Sequence, residues 1–272
     1  EELKKNREIL EQKIKNTEDL LIKVRSEKDN VSSRLKLLQE IERDYGGYNK
    51  TIKAILSQQK SIKNRISGFR GVLGEIVSVP EKWAVAIEIA LGFAMQNIIT
   101  DTEDDAKQLI EFLKRNNIGR ATFLPISSIK PRSFTNYELS KIKGIGFEGI
   151  AAEMVVYAKE YKNIIHYLLG RIAVVDNIDS AIRLARDLNY GIKIVTLDGE
   201  VINVGGAITG GSKAYSSGTI LTRKNQISAL KSRYENLILE EEKQEKALNL
   251  EKSQYFDLGN GINTSVEILH GF

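Results

Sequence analysis

The sequence predicts a mixed α/β (α+β) insert of two related subdomains, held between two long helices that pair as an antiparallel coiled coil. Three observations carry this. Apolar residues recur at alternate steps of four and three along 1–45 and again after residue 220. Between these arms, β-branched runs alternate with amphipathic stretches. Finally, the run from Gly199 to Ser212 starts as a strand and then carries Gly205-Gly206 and Gly210-Gly211. Glycine weakens a strand, so four in seven positions need a reason, either a phosphate loop or the close approach of a second backbone.

The first arm has its seam at Leu3, Leu10, Ile14, Leu21, Val24, Val31, Leu35, Leu38 and Tyr45, with polar Arg7, Thr17, Lys28 and Glu42 between them. So narrow a stripe buries itself only against another helix. Gly46-Gly47 interrupts the pattern, which resumes from Ile52 to Ile66. The first arm is therefore placed at 1–66, with a break or elbow near Tyr45–Tyr48.

From Gly68 the pattern changes class. Gly71–Val79 reads as a strand closed by Pro80, and Glu81–Met95 as a mostly buried helix. Asn97–Thr100 reads as a strand, and Asp101 or Thr102 caps a helix to about Asn117. Arg120–Ile126 is a further strand. A second round then follows. Helix Lys159–Leu169 precedes strand Ile172–Asp176, helix Ile178–Tyr190 and strand Lys193–Leu197. The segment from Ile98 to Ala106 lies over that from Ala173 to Ala181, so that Asp101, Asp104, Leu109 and Leu113 meet Asp176, Asp179, Leu184 and Leu188. This internal repeat predicts two subdomains, 67–149 and 150–219. The returning arm is placed at 220–258, with Ile227, Leu230, Tyr234, Leu237, Leu248, Tyr255 and Leu258 in the seam and Glu241, Gln244 and Glu251 as polar interruptions. Residues 259–272, glycine-containing and without a good heptad, read as a tail.

Composition narrows the function. The chain has no cysteine, which excludes disulfides and thiolate metal sites and suits a reducing cytosol. No apolar run approaches the roughly 18 residues of a membrane span. The net charge of +4 is unevenly distributed. No acidic residue lies between Asp44 and Glu75, where Lys50, Lys53, Lys60, Lys63, Arg65 and Arg70 fall. None lies between Glu200 and Glu235, where Lys213, Arg223, Lys224, Lys231 and Arg233 fall. Both stretches lie where an arm meets the insert, so they are expected to sum into one patch that neutralises phosphates without reading bases.

No pattern for catalysis stands out. Gly144-Ile145-Gly146-Phe147-Glu148-Gly149 matches a dinucleotide fingerprint in letters, which supports an alternative: a nucleotide-binding α/β domain inserted in a coil. Its preceding segment is a poor strand, and no acidic residue follows at the required distance. Gly206–Lys213 has Gly-Ser-Lys in place of the Gly-Lys-Ser/Thr that a phosphate loop needs. His166 lies in an apolar helix and reads as a packed histidine. No cofactor or metal is expected.

A heptad arm, a strand carrying Gly71-Val72-Leu73-Gly74, a double α/β insert, Gly205-Gly206-Ala207-Ile208-Thr209-Gly210-Gly211-Ser212 and a returning arm together resemble the hinge of the structural maintenance of chromosomes (SMC) family, over about residues 60–258. The similarity is to a bacterial, condensin-type subunit. The resemblance implies a homodimer with Gly205, Gly206, Gly210 and Gly211 at the contact. It implies sequence-independent DNA binding by basic residues at the hinge–coil junction, matched by location to Lys60, Lys63, Arg65, Arg70, Lys213, Arg223 and Lys224. It further implies a cytoplasmic, nucleoid-associated protein of chromosome condensation and segregation, whose ATPase heads and accessory subunits lie at the far ends of the arms. The hinge itself is not expected to be an enzyme.

Overall fold

The computed structural model describes residues 2–142, 144, 146–211 and 220–270, with side chains at all of these except 265 and 267–270. The chain divides into two compact units, Glu1–Glu40 with Ile227–Phe272, and Ile41–Gln226.

The first unit pairs α1 (Glu2–Arg43) with α10 (Ile220–His270). Leu10, Leu21, Val24 and Leu38 are buried on α1, and Ile227, Leu237 and Leu248 on α10. The direction of pairing can be read from the polar contacts. The Arg7 guanidinium lies 4.9 Å from the centre of the Tyr255 ring. Glu18 pairs with Lys252 at 2.7 Å, Arg25 with Glu241 at 2.9 Å, and Glu27 with Arg233 at 2.6 Å. Numbers rise on one helix as they fall on the other, so the helices are antiparallel. Lys28 and Glu241, both polar interruptions of the seam, meet each other. Charges matched within an apolar seam fix its register, because a slip would leave both unpaired. The helix also continues through Gly259 and Gly261 to His270, where a tail was expected. Each glycine costs roughly 1 kcal/mol there, but extending an existing helix is far easier than nucleating one.

In the second unit, α2 (Lys50–Ser57) and α3 (Gln59–Arg65) belong to the globular body, not to the arm as the boundary at 66 assumed. Ile52, Ile55, Leu56, Ile62 and Ile66 join the main core beside Val72, Leu73 and Ile98. Five apolar residues at helical spacing look alike in sequence whether their partner is a helix or a sheet. α1 ends at Arg43, before the paired glycines, and Asn49 caps α2 by accepting from the Ile52 N–H at 3.0 Å.

Two sheets follow. In the first, β1 (Phe69–Val72) runs antiparallel to β2 (Ile98–Thr100), which is parallel to β3 (Phe123–Pro125). In the second, β4 (Phe147–Ile150) is antiparallel to β5 (Ile172–Val175), and β5 is parallel to β6 (Lys193–Thr196). Antiparallel β7 (Val201–Ile202) and β8 (Ile208–Thr209) extend that sheet. Strand β5 is buried throughout. Its Ile172 and Val174 face the main core, and Ala173 and Val175 face a second core with Leu184 of α9 (Ile178–Asp187) and Ile142 of α7 (Asn136–Ile142).

The repeat goes deeper than the sequence register indicated. Both β1 and β4 carry a bulge, between Phe69 and Gly71 and between Phe147 and Gly149. Gly71 and Gly149 have φ of +126° and +147°, a left-handed backbone that favours glycine at a bulge. The Asp101 N–H donates to the Gly68 carbonyl at 2.9 Å, and the Asp176 N–H to the Gly146 carbonyl at 2.8 Å. The helices after them are capped by the next residue rather than by aspartate. Thr102 accepts from the Asp105 N–H to cap α6 (Glu103–Arg115), and Asn177 accepts from the Ser180 N–H to cap α9. Their short polar side chains reach the free N–H groups of the first turn.

The expected strand 71–79 is shorter. After Val72 the chain makes one helical turn, α4 (Leu73–Ile76), and Ser78 then bridges Val156, joining the two halves. Helix α5 (Glu81–Leu91) passes into a tighter helical turn over Gly92–Gln96. Helix α8 (Lys162–Leu169) precedes β5.

Lys28 and then Arg25 hold the Glu241 carboxyl below the usual carboxylate range. A folded-state pKa below the unfolded one adds stability above the unfolded value that is lost as pH falls through the folded one. Thermal melts followed by circular dichroism should show the coil weakening as pH drops below about 4.5, with a smaller pH dependence in Glu241→Gln.

Candidate dimer edge and basic surface

The glycine stretch forms a hairpin. β7 pairs Val201 with Thr209 and Ile202 with Ile208 of β8. The Asn203 N–H donates to the Ala207 carbonyl at 2.8 Å, and the Gly206 N–H to the Asn203 carbonyl at 2.9 Å. Gly205 and Gly206 have φ of +88° and +94°. They therefore serve the turn itself, a role that spacing alone does not assign to them. The Gly205 N–H also donates to the Tyr190 carbonyl at 3.0 Å, and a Cβ on Gly206 would lie 3.3 Å from the Tyr190 ring. Gly211 has φ +132° and, among the described residues, nothing within reach of a Cβ, whereas Gly210 lies against Glu200.

Strand β8 is the last in its sheet. Ile208 is 56% exposed and Val204 is 66% exposed. An exposed edge strand with an apolar side chain offers unpaired main-chain groups to another strand.

The basic residues separate into two groups. Lys60, Lys63 and Arg65 are exposed on α3 and make no ion pair among the described residues. Arg70 grips Asp101 with two hydrogen bonds of 2.6 and 2.8 Å, which raises its pKa. Arg223 is only 3% exposed and donates to the Gly46 carbonyl at 2.6 Å. Lys224 donates to the Gly74 carbonyl at 2.7 Å. Burial withdraws Arg223 from a solvent-facing patch with Lys60, Lys63 and Arg65, and half-buried Lys224 is held to the Gly74 carbonyl. Lys213 lies outside the described residues.

The same root uses residues that sequence reasoning passed over. The Glu88 carboxylate accepts from the Ile220 and Leu221 N–H groups at 2.9 and 3.1 Å, capping α10 from α5. Asn225 donates to the Val79 carbonyl at 2.9 Å. Tyr48 donates to Glu75 at 2.8 Å, and burial with that carboxylate pushes its phenol pKa up. The sequence signal for Glu88 is an acid within the apolar run Trp83–Leu91 of α5.

The dinucleotide reading loses its geometry here. Phe147, Glu148 and Gly149 lie in edge strand β4, and only a single tight turn, Ala151–Met154, follows it, not the α-helix whose N-terminus would meet a pyrophosphate. His166 is half-buried within α8. Among the described residues, no group of three or more His, Cys, Asp or Glu is placed to hold a metal ion, and no helix is long and apolar enough to cross a membrane.

Bulged strand, capped helix and parallel strand, twice over and set between two helical arms, define a hinge-type insert. Residues 66–185 match the family described as SMC proteins Flexible Hinge Domain. Chromosome partition protein Smc of Clostridium kluyveri is 42% identical over 221 residues, 80% of this chain and 18% of that protein. The Bacillus subtilis protein of the same name is 34% identical over 202 residues, 74% of this chain and 17% of that protein. An asymmetric dimer of the Geobacillus stearothermophilus SMC hinge domain has a TM-score of 0.75 at 33% identity, covering 90% of this chain and 98% of that one. The Pyrococcus furiosus SMC hinge domain has a TM-score of 0.50 at 29% identity, covering 69% of this chain and 93% of that one. The chain belongs to the SMC hinge family. It spans less than a fifth of the length of these two curated relatives.

Replacing Arg223 by Ala should cost about 2–4 kcal/mol in urea unfolding, the range for stripping a buried hydrogen-bonded cation. A folded, equally stable variant with impaired DNA affinity instead would return Arg223 to the nucleic-acid surface.

Proposed function

We propose that this segment is the homodimerisation hinge of a chromosome-segregation SMC protein. The observation that carries this reading is the edge of β8, which has no neighbouring strand beyond it among the described residues, with exposed Ile208 and Val204 beside a glycine turn. A second copy adds a strand there, and Gly210 and Gly211, lacking side chains, let its backbone approach. Gly205 and Gly206 present that edge by holding the turn. With two subdomains per chain, two such contacts close a ring. The asymmetric dimer of the Geobacillus stearothermophilus domain supports the reading.

The second part of the proposal is sequence-independent DNA contact through Lys60, Lys63, Arg65, Arg70 and Lys213. Arg223 and Lys224 act chiefly in anchoring α10. No residue of this segment is given a catalytic role. ATP hydrolysis by the whole protein, accessory subunits at its heads, chromosome condensation and a nucleoid-associated place in the cytoplasm belong to the same reading.

Light scattering at micromolar concentration should give twice the chain mass, and Ile208→Lys should give a folded monomer. Ile208 is itself more than half exposed, so the variant is expected to fold, and a persistent dimer would sink the edge assignment. In a gel-shift salt series, Lys60→Glu with Lys63→Glu should weaken duplex binding about tenfold or more and lower the salt slope by roughly 2, about 0.9 for each phosphate that the variant no longer neutralises. An unchanged slope would remove α3 from the DNA surface.

A further inference from the structure

A cleft of about 580 Å³ opens on the second sheet, lined by no residue of α3 and bordered by the turn that carries Val204. Its volume falls in the range of small-molecule sites. Three cations from three separate elements line it: Arg132 from the loop before α7, Arg171 from the turn between α8 and β5, and Lys193 from the start of β6.

Each cation is held in place. The Arg132 backbone N–H donates to the His166 carbonyl at 3.3 Å, and its guanidinium lies 4.5 Å from the centre of the Tyr167 ring. Stacking on an aromatic face orients the fork without neutralising it. Gly170 permits this arrangement, because a Cβ there would lie 2.0 Å from the Arg132 carbonyl oxygen. Arg171 pairs with Glu138. The half-buried Lys193 ammonium donates to the Ala90 carbonyl at 2.9 Å, and burial lowers its pKa. Among the described residues neither Arg132 nor Lys193 has a carboxylate within ion-pair distance.

Three cations facing one carboxylate leave two positive charges, one of them partly desolvated. A partly buried charge without a counter-ion is costly, and a bound anion offsets that cost. A single carboxylate would neutralise only half of the excess. A phosphate monoester carries about −1.5 to −2 at neutral pH and presents oxygens that match guanidinium forks. Beside Ser133, Tyr167 and Gly191, the lining includes apolar Leu168, Ile172, Ile192 and Val204, a surface that an organic body uses and bare phosphate does not.

We infer that this cleft binds a small phosphate monoester, its phosphate held by Arg132, Arg171 and Lys193 and its organic body lying against Ile172, Ile192 and Val204. None of the α3 cations lines the site; it shares Val204 with the proposed dimer edge, so it rests on the cleft staying open beside that edge.

Calorimetry on the full chain in its native oligomeric state, with adenosine 5′-monophosphate as the probe, tests this. Saturable binding is expected, weakened at least tenfold by Arg132→Ala and by Lys193→Met, and unchanged by Lys60→Glu with Lys63→Glu. Arg132 is exposed, so its variant keeps the test open if Lys193→Met does not fold. Adenosine should not bind, and inorganic phosphate should bind more weakly than the monoester. The absence of saturable binding at millimolar probe, equal affinity in both cleft variants, or equal binding of adenosine would overturn the site. Equally tight inorganic phosphate would overturn the monoester in favour of the free ion. Binding only by an oligonucleotide, abolished in the α3 variant, would assign the affinity to the DNA surface instead. Binding that appears only in the Ile208→Lys monomer would assign the cleft to the interface between copies.

Discussion

A β-strand at the edge of a sheet has main-chain donors and acceptors with nothing beside them, and a soluble protein must cover, blunt or use that edge. Here β8 is two residues long, apolar at Ile208 and held out by a turn whose two glycines take a left-handed backbone. No charge blunts Ile208 or Thr209 themselves. A lysine in either place would have made the edge a plain surface. The rest of the body can be understood as what holds this edge rigid: β7 and β6 behind it, β5 buried on both faces, and two cores that share that strand.

Within the globular unit, residues 220–226 at the root of α10 are held by directional bonds rather than by apolar contact alone. Glu88 caps the helix, Arg223 and Lys224 bind backbone carbonyls, and Asn225 binds another. Each of these bonds joins residues more than a hundred positions apart. Within the arm unit the helices use apolar residues for affinity and ion pairs for register. Lys28 and Glu241 have partners only when the two helices are correctly aligned.

The periodic features were legible in the sequence. Four-three spacing gave both arms, and two of their polar seam positions, Lys28 and Glu241, are each other's partners. The Asp101 and Asp176 registers gave the duplicated subdomain, although Thr102 and Asn177 do the capping. What was not legible depends on distant partners. Ile52–Ile66 carry the same helical pattern whether they pack on a coil or on a sheet. Arg223 looked like any surface cation until Gly46, 177 residues earlier in the chain, came to lie beside it. The Gly205-Gly206 pair stands out in sequence for its missing side chains, when its φ angles matter as much. The basic stretches illustrate the general difficulty. A sequence shows which charges lack acidic neighbours along the chain, whereas α3 and the root of α10 differ in how each cation meets the fold.

The account stands or falls on whether the main chain around Ile208 is paired across copies. Amide hydrogen exchange over residues 207–211, measured at concentrations above and below dimer dissociation, tests this most directly. Protection that appears with the dimer and vanishes with the monomer is the predicted result. Fast exchange at every concentration, in a chain that scatters light as a dimer, would place the contact elsewhere.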